Sequence, residues 1–304
     1  MSSHPIALDR LHRRPLRVTD ADVALALQHA YDLEFLGEPM MDIEDLVSEL
    51  TAPELDLDAD TLGCWTPADE LVGFTVLGPR GRIDQAVARD HAGLRTPLLD
   101  WAEDRARSRG TATVDQFLPR DDRAGVERLG ARGYSMSYTA WILGLVDDAA
   151  LTTRTLPPGY RVRPFAPADA AAVFTVIHDA FGEWDARPRR SFADWEAETL
   201  RRPGVDTSHF RVATFEDEVI GTCIVYDSGP EAWVSQLATR RDHRGRGVAQ
   251  QLLAETFMAA RERGLPQGGL STDTRTGALD LYLRLGMEVR HTIDCWTLRL
   301  AEGR

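Results

Sequence analysis

Leu237-Ala238-Thr239-Arg240-Arg241-Asp242-His243-Arg244-Gly245-Arg246-Gly247-Val248-Ala249 reads as a strand that ends, a turn rich in arginine and glycine, and a helix that begins. Leu252, Leu253, Phe257 and Ala260 give that helix one apolar face. Arg261 and Arg263 complement its negative end, and Gly264 stops it. The first N–H groups of a helix have no intrahelical acceptor and lie at the positive end of its dipole, so they suit an anion. Gly245 and Gly247 carry no Cβ, which lets a phosphate approach the backbone. Arg244 and Arg246 add charge nearby. Gln250 stands where a dinucleotide-binding turn needs its third glycine, and the chain has no lysine for a Walker turn. Taken alone, the turn also suits a plain strand–helix connection with surface arginines.

Working outward, the chain repeats itself. Val72-Gly73-Phe74-Thr75-Val76 resembles Ile220-Gly221-Thr222-Cys223-Ile224, 148 residues on. Arg89-Asp90-His91 recurs as Arg241-Asp242-His243 at an offset of 152, and Gly133-Tyr134 as Gly286-Met287 at 153. A period this long is a duplicated domain and not a solenoid. The polar stretch Asp147–Gly159 ends Pro157-Pro158-Gly159, which sets the expected join near residue 150. Two domains, 1–150 and 151–304, also suit a chain of 304 residues. Each half reads as a short strand (Leu16–Thr19; Tyr160–Phe165), a helix, a group of strands, a glycine-bearing turn into a helix, a short helix and a last strand. In the second half the strands are expected at Phe210–Phe215, Val219–Tyr226, Ala232–Thr239 and Asp294–Leu300, with Asp169 as a helix N-cap. That order predicts a mixed α/β (α+β) sheet domain, present twice.

Composition narrows the function. With 43% hydrophobic and 27% charged residues, the chain is an ordinary globular one. No run approaches the ~18 apolar residues of a membrane span, and the arginine-rich start has no apolar leader. The net charge of −13 disfavours nucleic acid and anionic membranes and suits a cationic partner such as an amine. All 35 basic residues are arginine, which excludes Schiff-base chemistry. Three scattered cysteines, Cys64, Cys223 and Cys295, show neither a disulfide framework nor zinc spacing and fit a reducing cytoplasm.

Arg244-x-x-Gly247-x-Ala249 resembles the acyl-CoA signature (Gln/Arg-x-x-Gly-x-Gly/Ala) of the GCN5-related N-acetyltransferases, the GNAT family. Thr276-Gly277-Ala278-Leu279-Asp280-Leu281-Tyr282-Leu283-Arg284-Leu285-Gly286-Met287 is similar to the family's Asn-x-x-Ala-x-x-x-Tyr-x-x-x-Gly-Phe segment. Thr274 or Arg275 lies where relatives carry Asn, and Met287 replaces Phe. The resemblance covers about residues 160 to 300. A tandem pair with the active copy second resembles the mycothiol synthase type of the family.

The resemblance implies a sheet whose fourth and fifth strands splay apart to admit acetyl-CoA as cosubstrate, with no metal. The backbone of Leu237, Ala238 and Thr239 would pair with the pantetheine arm. The N–H groups of Gly245, Arg246, Gly247, Val248 and Ala249, with Arg244, would hold the pyrophosphate. It further implies direct attack by an acceptor amine, with Tyr282 as general acid to the departing sulfur. Glu231 and Ser235, on the strand facing the acceptor, are the candidates for handling the ammonium proton, beside Asp227. The loop after the first helix, with Glu183, Trp184 and Asp185, would wall the acceptor, expected to be a small-molecule amine. In the first half Ala92 replaces Arg244, Arg95 replaces Gly247 and Leu129 replaces Tyr282, so that copy is expected to be degenerate, serving structure or the acceptor wall. A monomer or homodimer is the expected assembly.

Overall fold

The computed structural model describes residues 10–145, 153–183, 191–202 and 204–300. The first run of elements is β1 (His12–Arg14), α1 (Ala21–Phe35), α2 (Ile43–Leu50), α3 (Leu57–Asp60), β2 (Thr61–Trp65), β3 (Leu71–Leu77), β4 (Ile83–Val87), α4 (Arg95–Ser108), β5 (Thr113–Pro119), α5 (Arg123–Ala131) and β6 (Ser135–Leu145). The second is β7 (Tyr160–Pro164), α6 (Ala170–Gly182), α7 (Phe192–Thr199), β8 (Arg211–Phe215), β9 (Glu218–Ser228), β10 (Glu231–Thr239), α8 (Val248–Glu262), β11 (Gln267–Asp273), α9 (Leu279–Arg284) and β12 (Met287–Arg299). Apart from the one-turn α3, the two runs match element for element.

The match extends to side chains. Asp169 accepts both ends of the Arg163 guanidinium, at 2.7 and 2.8 Å, and the Ala166 N–H at 2.8 Å. In the first copy Asp20 does the same with Arg14, at 2.6 and 3.0 Å, and with the Arg17 N–H at 2.8 Å. Asp169 is the N-cap residue of α6, as its sequence position predicts, but its carboxylate makes no bond to that helix and instead looks back to the strand and locks the turn before α6. Leu16–Thr19, expected to be a strand, is not one: β1 ends at Arg14 and Val18–Asp20 is a tight helical turn, because Pro15 cannot donate to a ladder and Asp20 draws the chain back.

The chain divides into two compact units: Met1–Thr139 with Ile293–Arg304, and Ala140–Thr292. This differs from a single join near 150, a position that itself lies outside the described residues. The reason is strand length. β6 continues past the first unit, so that Ala140–Gly144 pairs antiparallel with β11 of the second. β12 runs on until Ile293–Arg299 pairs with β5 of the first. Each unit is completed by the end of the other's repeat.

In the first unit, β1-β2-β3-β4 form an antiparallel sheet. In the second, the strand order is β6-β11-β10-β9-β8-β7, with β10 and β11 the parallel pair. Val173, Val176, Ile177 and Ala180 of α6, together with Leu252, Leu253, Phe257 and Ala260 of α8, are all in its core, as the periodicity of their sequences requires. Among the described residues, no helix is long and apolar enough to cross a membrane.

Candidate active site

β10 follows β9 along its whole length, but the register slips between Val234 and Gln236, leaving Ser235 in a bulge. On its other edge β10 pairs with β11 only from Glu231 to Val234, against Gln267–Leu270. Beyond that point Ser271–Asp273 of β11 pair with β6 alone. Residues 235–239 therefore keep one strand edge without a partner strand, and an unpaired edge is a template for another extended chain. A cleft of about 590 Å3 opens between the parted strands. Leu237, Ala238 and Thr239 line one side and Ser271, Thr272 and Asp273 the other.

The arginine–glycine turn closes one end. Gly245 and Gly247 take φ of 75° and 85°, a left-handed conformation that explains both glycines. Gly247 is the N-cap of α8, with no side chain bonded to the first turn and no acidic residue in it. The N–H groups of Val248, Ala249 and Gln250 thus face the cleft end without intrahelical acceptors. The two motif arginines are engaged by the protein. Arg244 donates through both terminal nitrogens to Glu183, at 2.8 Å each, and through Nε to the Thr239 carbonyl at 3.0 Å. Arg246 donates to the Asp242 carbonyl. His243 is buried under the turn, with Nδ1 2.8 Å from the Tyr160 hydroxyl.

Tyr282 lines the same cleft and is 8% exposed. Burial, and secondarily the thiol of Cys223, push its phenol well above the usual tyrosine range, so it stays protonated. Among the described residues its hydroxyl has no hydrogen-bond partner, which leaves it a donor for something in the cleft. Ser235 also lines the cleft.

Two expectations change here. Glu231 is not among the lining residues: Arg290 Nη1 donates to it at 2.8 Å. The pair lies across Gly269 and Gly144, partners in the β11–β6 ladder, at both of which a Cβ would collide with it. Glu231 is thus committed to an ion pair over a glycine floor and does not face the cleft. Glu183, expected to meet the acceptor, instead orients Arg244, and its carboxyl is held below the usual range by that guanidinium. Trp184 and Asp185 lie outside the described residues.

Sequence reading missed Arg154, Arg275 and Arg284 as lining residues. Arg275 is ion-paired with Asp273. Arg154 precedes β7, and its backbone N–H donates to Gln251 of α8 at 2.7 Å. Nothing in its local sequence signals that contact.

In the first unit the corresponding positions are filled. Arg95 opens α4, with its guanidinium 5.1 Å from the centre of the Tyr31 ring. The Tyr31 hydroxyl donates to Asp122 at 2.8 Å. Leu129 is wholly buried in the core.

Comparison with known proteins follows the geometry. Residues 171–287 match the acetyltransferase (GNAT) family model. An acetyltransferase of Pectobacterium atrosepticum is 28% identical over 148 residues, 47% of this chain and 97% of that protein. A GCN5-related N-acetyltransferase structure from Sphaerobacter thermophilus is 25% identical, with a TM-score of 0.80 over 96% of each chain. A tandem GNAT protein from the clavulanic acid biosynthesis pathway shares the fold, with a TM-score of 0.72 at 18% identity over 97% of this chain and 99% of that one.

Proposed function

We propose that this chain, whose residues 171–287 match the acetyltransferase (GNAT) family model, transfers acetyl from acetyl-CoA to the primary amine of a small molecule. One observation carries the reading: the unpaired edge of β10, the left-handed glycine turn and the unpartnered Tyr282 hydroxyl line a single cleft.

Acetyl-CoA supplies a thioester carbonyl open to attack. The free edge of Leu237–Thr239 hydrogen-bonds the pantetheine amides as an added strand would. The N–H groups from Gly245 to Ala249 receive the pyrophosphate at the positive end of α8. Arg244 holds the turn and the end of β10 in place through Glu183 and Thr239. A backbone N–H near Leu237 stabilises charge on the carbonyl oxygen. Tyr282 donates its proton to the departing sulfur. Ser235, exposed at the bulge, passes the ammonium proton to water. The first unit, with Arg95 and Leu129 in place of Gly247 and Tyr282, is a degenerate copy that serves structure. The three free, buried cysteines fit a cytoplasmic enzyme.

Calorimetric titration with acetyl-CoA tests the reading. One site per chain, abolished in Gly247→Glu, supports it, and an amine panel then defines the acceptor. Absence of binding by the unaltered chain overturns it.

A further inference from the structure

We infer that Arg154, from the segment ahead of β7, is a phosphate ligand of the acyl-CoA site; this rests on the acyl-CoA reading above. Four arginines line the cleft: Arg154, Arg244, Arg275 and Arg284. Arg244 and Arg275 are neutralised by Glu183 and Asp273. Arg154 has no ion-pair partner among the described residues, and it is the one that lies on the phosphate turn. A Cβ at Gly247 would come within 2.8 Å of Arg154 Cδ and 3.3 Å of its Nε. Glycine at 247 thus serves two ends, the left-handed N-cap and the passage of the Arg154 stem.

The position is built. Gln251 accepts the Arg154 N–H at 2.7 Å, and its own amide donates to Glu255 at 2.8 Å, so the first turns of α8 hold the backbone of residue 154. Electrostatics gives the placement its meaning. A guanidinium beside a helix N-terminus opposes the dipole, and this first turn has no acid to offset it. In the protein alone the arrangement is unfavourable; a phosphate between the guanidinium and the orphan N–H groups reverses its sign. Because Arg244 directs its guanidinium to Glu183 and Thr239, and Arg246 is not among the residues that line the cleft, Arg154 is the guanidinium left for the ligand at this turn. The phosphate is either the pyrophosphate or the ribose 3′-phosphate of the CoA moiety.

The test is calorimetry of the full chain and of Arg154→Ala with CoA and with 3′-dephospho-CoA. Arg161→Ala, which removes an equal charge outside the cleft, is the control. The alanine at 154 keeps the backbone bond to Gln251, so folding is preserved, and a melting curve verifies it. Arg154→Ala is expected to weaken CoA about 10-fold, roughly one charge-assisted hydrogen bond. A loss confined to CoA identifies the 3′-phosphate, whereas equal losses for both ligands identify the pyrophosphate. Equal affinity of Arg154→Ala and the unaltered chain for both ligands overturns the inference, as does an equal loss in Arg161→Ala. If the unaltered chain binds neither ligand, the acyl-CoA reading itself has failed.

Discussion

Arg244 and Glu183 face each other fork to fork, both bonds 2.8 Å long, so that the end of α6 and the turn before α8 are tied by one bidentate ion pair. The motif arginine is therefore a brace for the turn, and its charge is offset by the Glu183 carboxylate.

Glu183→Gln removes that cancellation while leaving a side chain of the same size. Acetyl-CoA affinity should rise about 2–5-fold at low salt, the scale of an exposed ion pair. Because the effect is electrostatic, raising ionic strength to about 0.5 M should erase it. Calorimetry at two salt concentrations checks this, and an unchanged or weaker affinity at low salt refutes it.

Tyr282→Phe keeps the buried ring and deletes the donor. The kcat should fall about 100-fold or more, the usual scale of general acid catalysis, with acetyl-CoA binding preserved. Since burial raises the phenol above its ordinary pKa of about 10, the catalytic proton is retained as pH rises. Activity of the unaltered chain should accordingly show no Tyr282-dependent decline up to about pH 10. A pH–rate profile with an alkaline limb near 9 that vanishes in Tyr282→Phe would contradict the assignment.

Gly247→Ala puts a Cβ at a φ of 85° and against the Arg154 stem. The backbone penalty is about 1–3 kcal/mol. Thermal unfolding should show a modest loss of stability, and acetyl-CoA titration a loss of at least 10-fold. Full affinity in the alanine variant would mean that the turn does not require the left-handed cap.

Asp169→Asn and its counterpart Asp20→Asn each break a bidentate pair, with a carboxylate that is buried at 169 and partly buried at 20. Each should cost about 1–3 kcal/mol at pH 7. Both carboxyls lie below their ordinary range because of the facing arginine. Their contribution is thus complete above the unfolded value of about 3.9 and fades as pH falls through the lower folded value. Denaturant curves of variant and unaltered chain should differ at pH 7 and converge towards pH 2; a constant gap would assign the loss to packing.

Glu231→Gln leaves the Arg290 guanidinium partly buried over Gly144 and Gly269 without its carboxylate. Stability should fall by about 1–3 kcal/mol with kcat changed less than about 3-fold. A loss of activity of 100-fold without a stability change would restore Glu231 as the base.

The duplicated order of elements and the α8 turn were legible in the residues alone, whereas Tyr282 was picked out by the family resemblance. The first two rest on short-range physics: side-chain period and the demand of a left-handed turn for glycine. The strand ends that cross between the units were not legible, because a period of two says that a strand continues and not which strand it pairs with. Nor were the partners of the polar groups. Glu183 meets Arg244 across 61 residues, Glu231 meets Arg290 across 59, and Arg154 meets Gln251 across 97. Charges so far apart in the chain carry no mutual signal, and only the tertiary arrangement of strands and helices decides which carboxylate braces a turn, which lies on a glycine floor, and which arginine lies against Gly247.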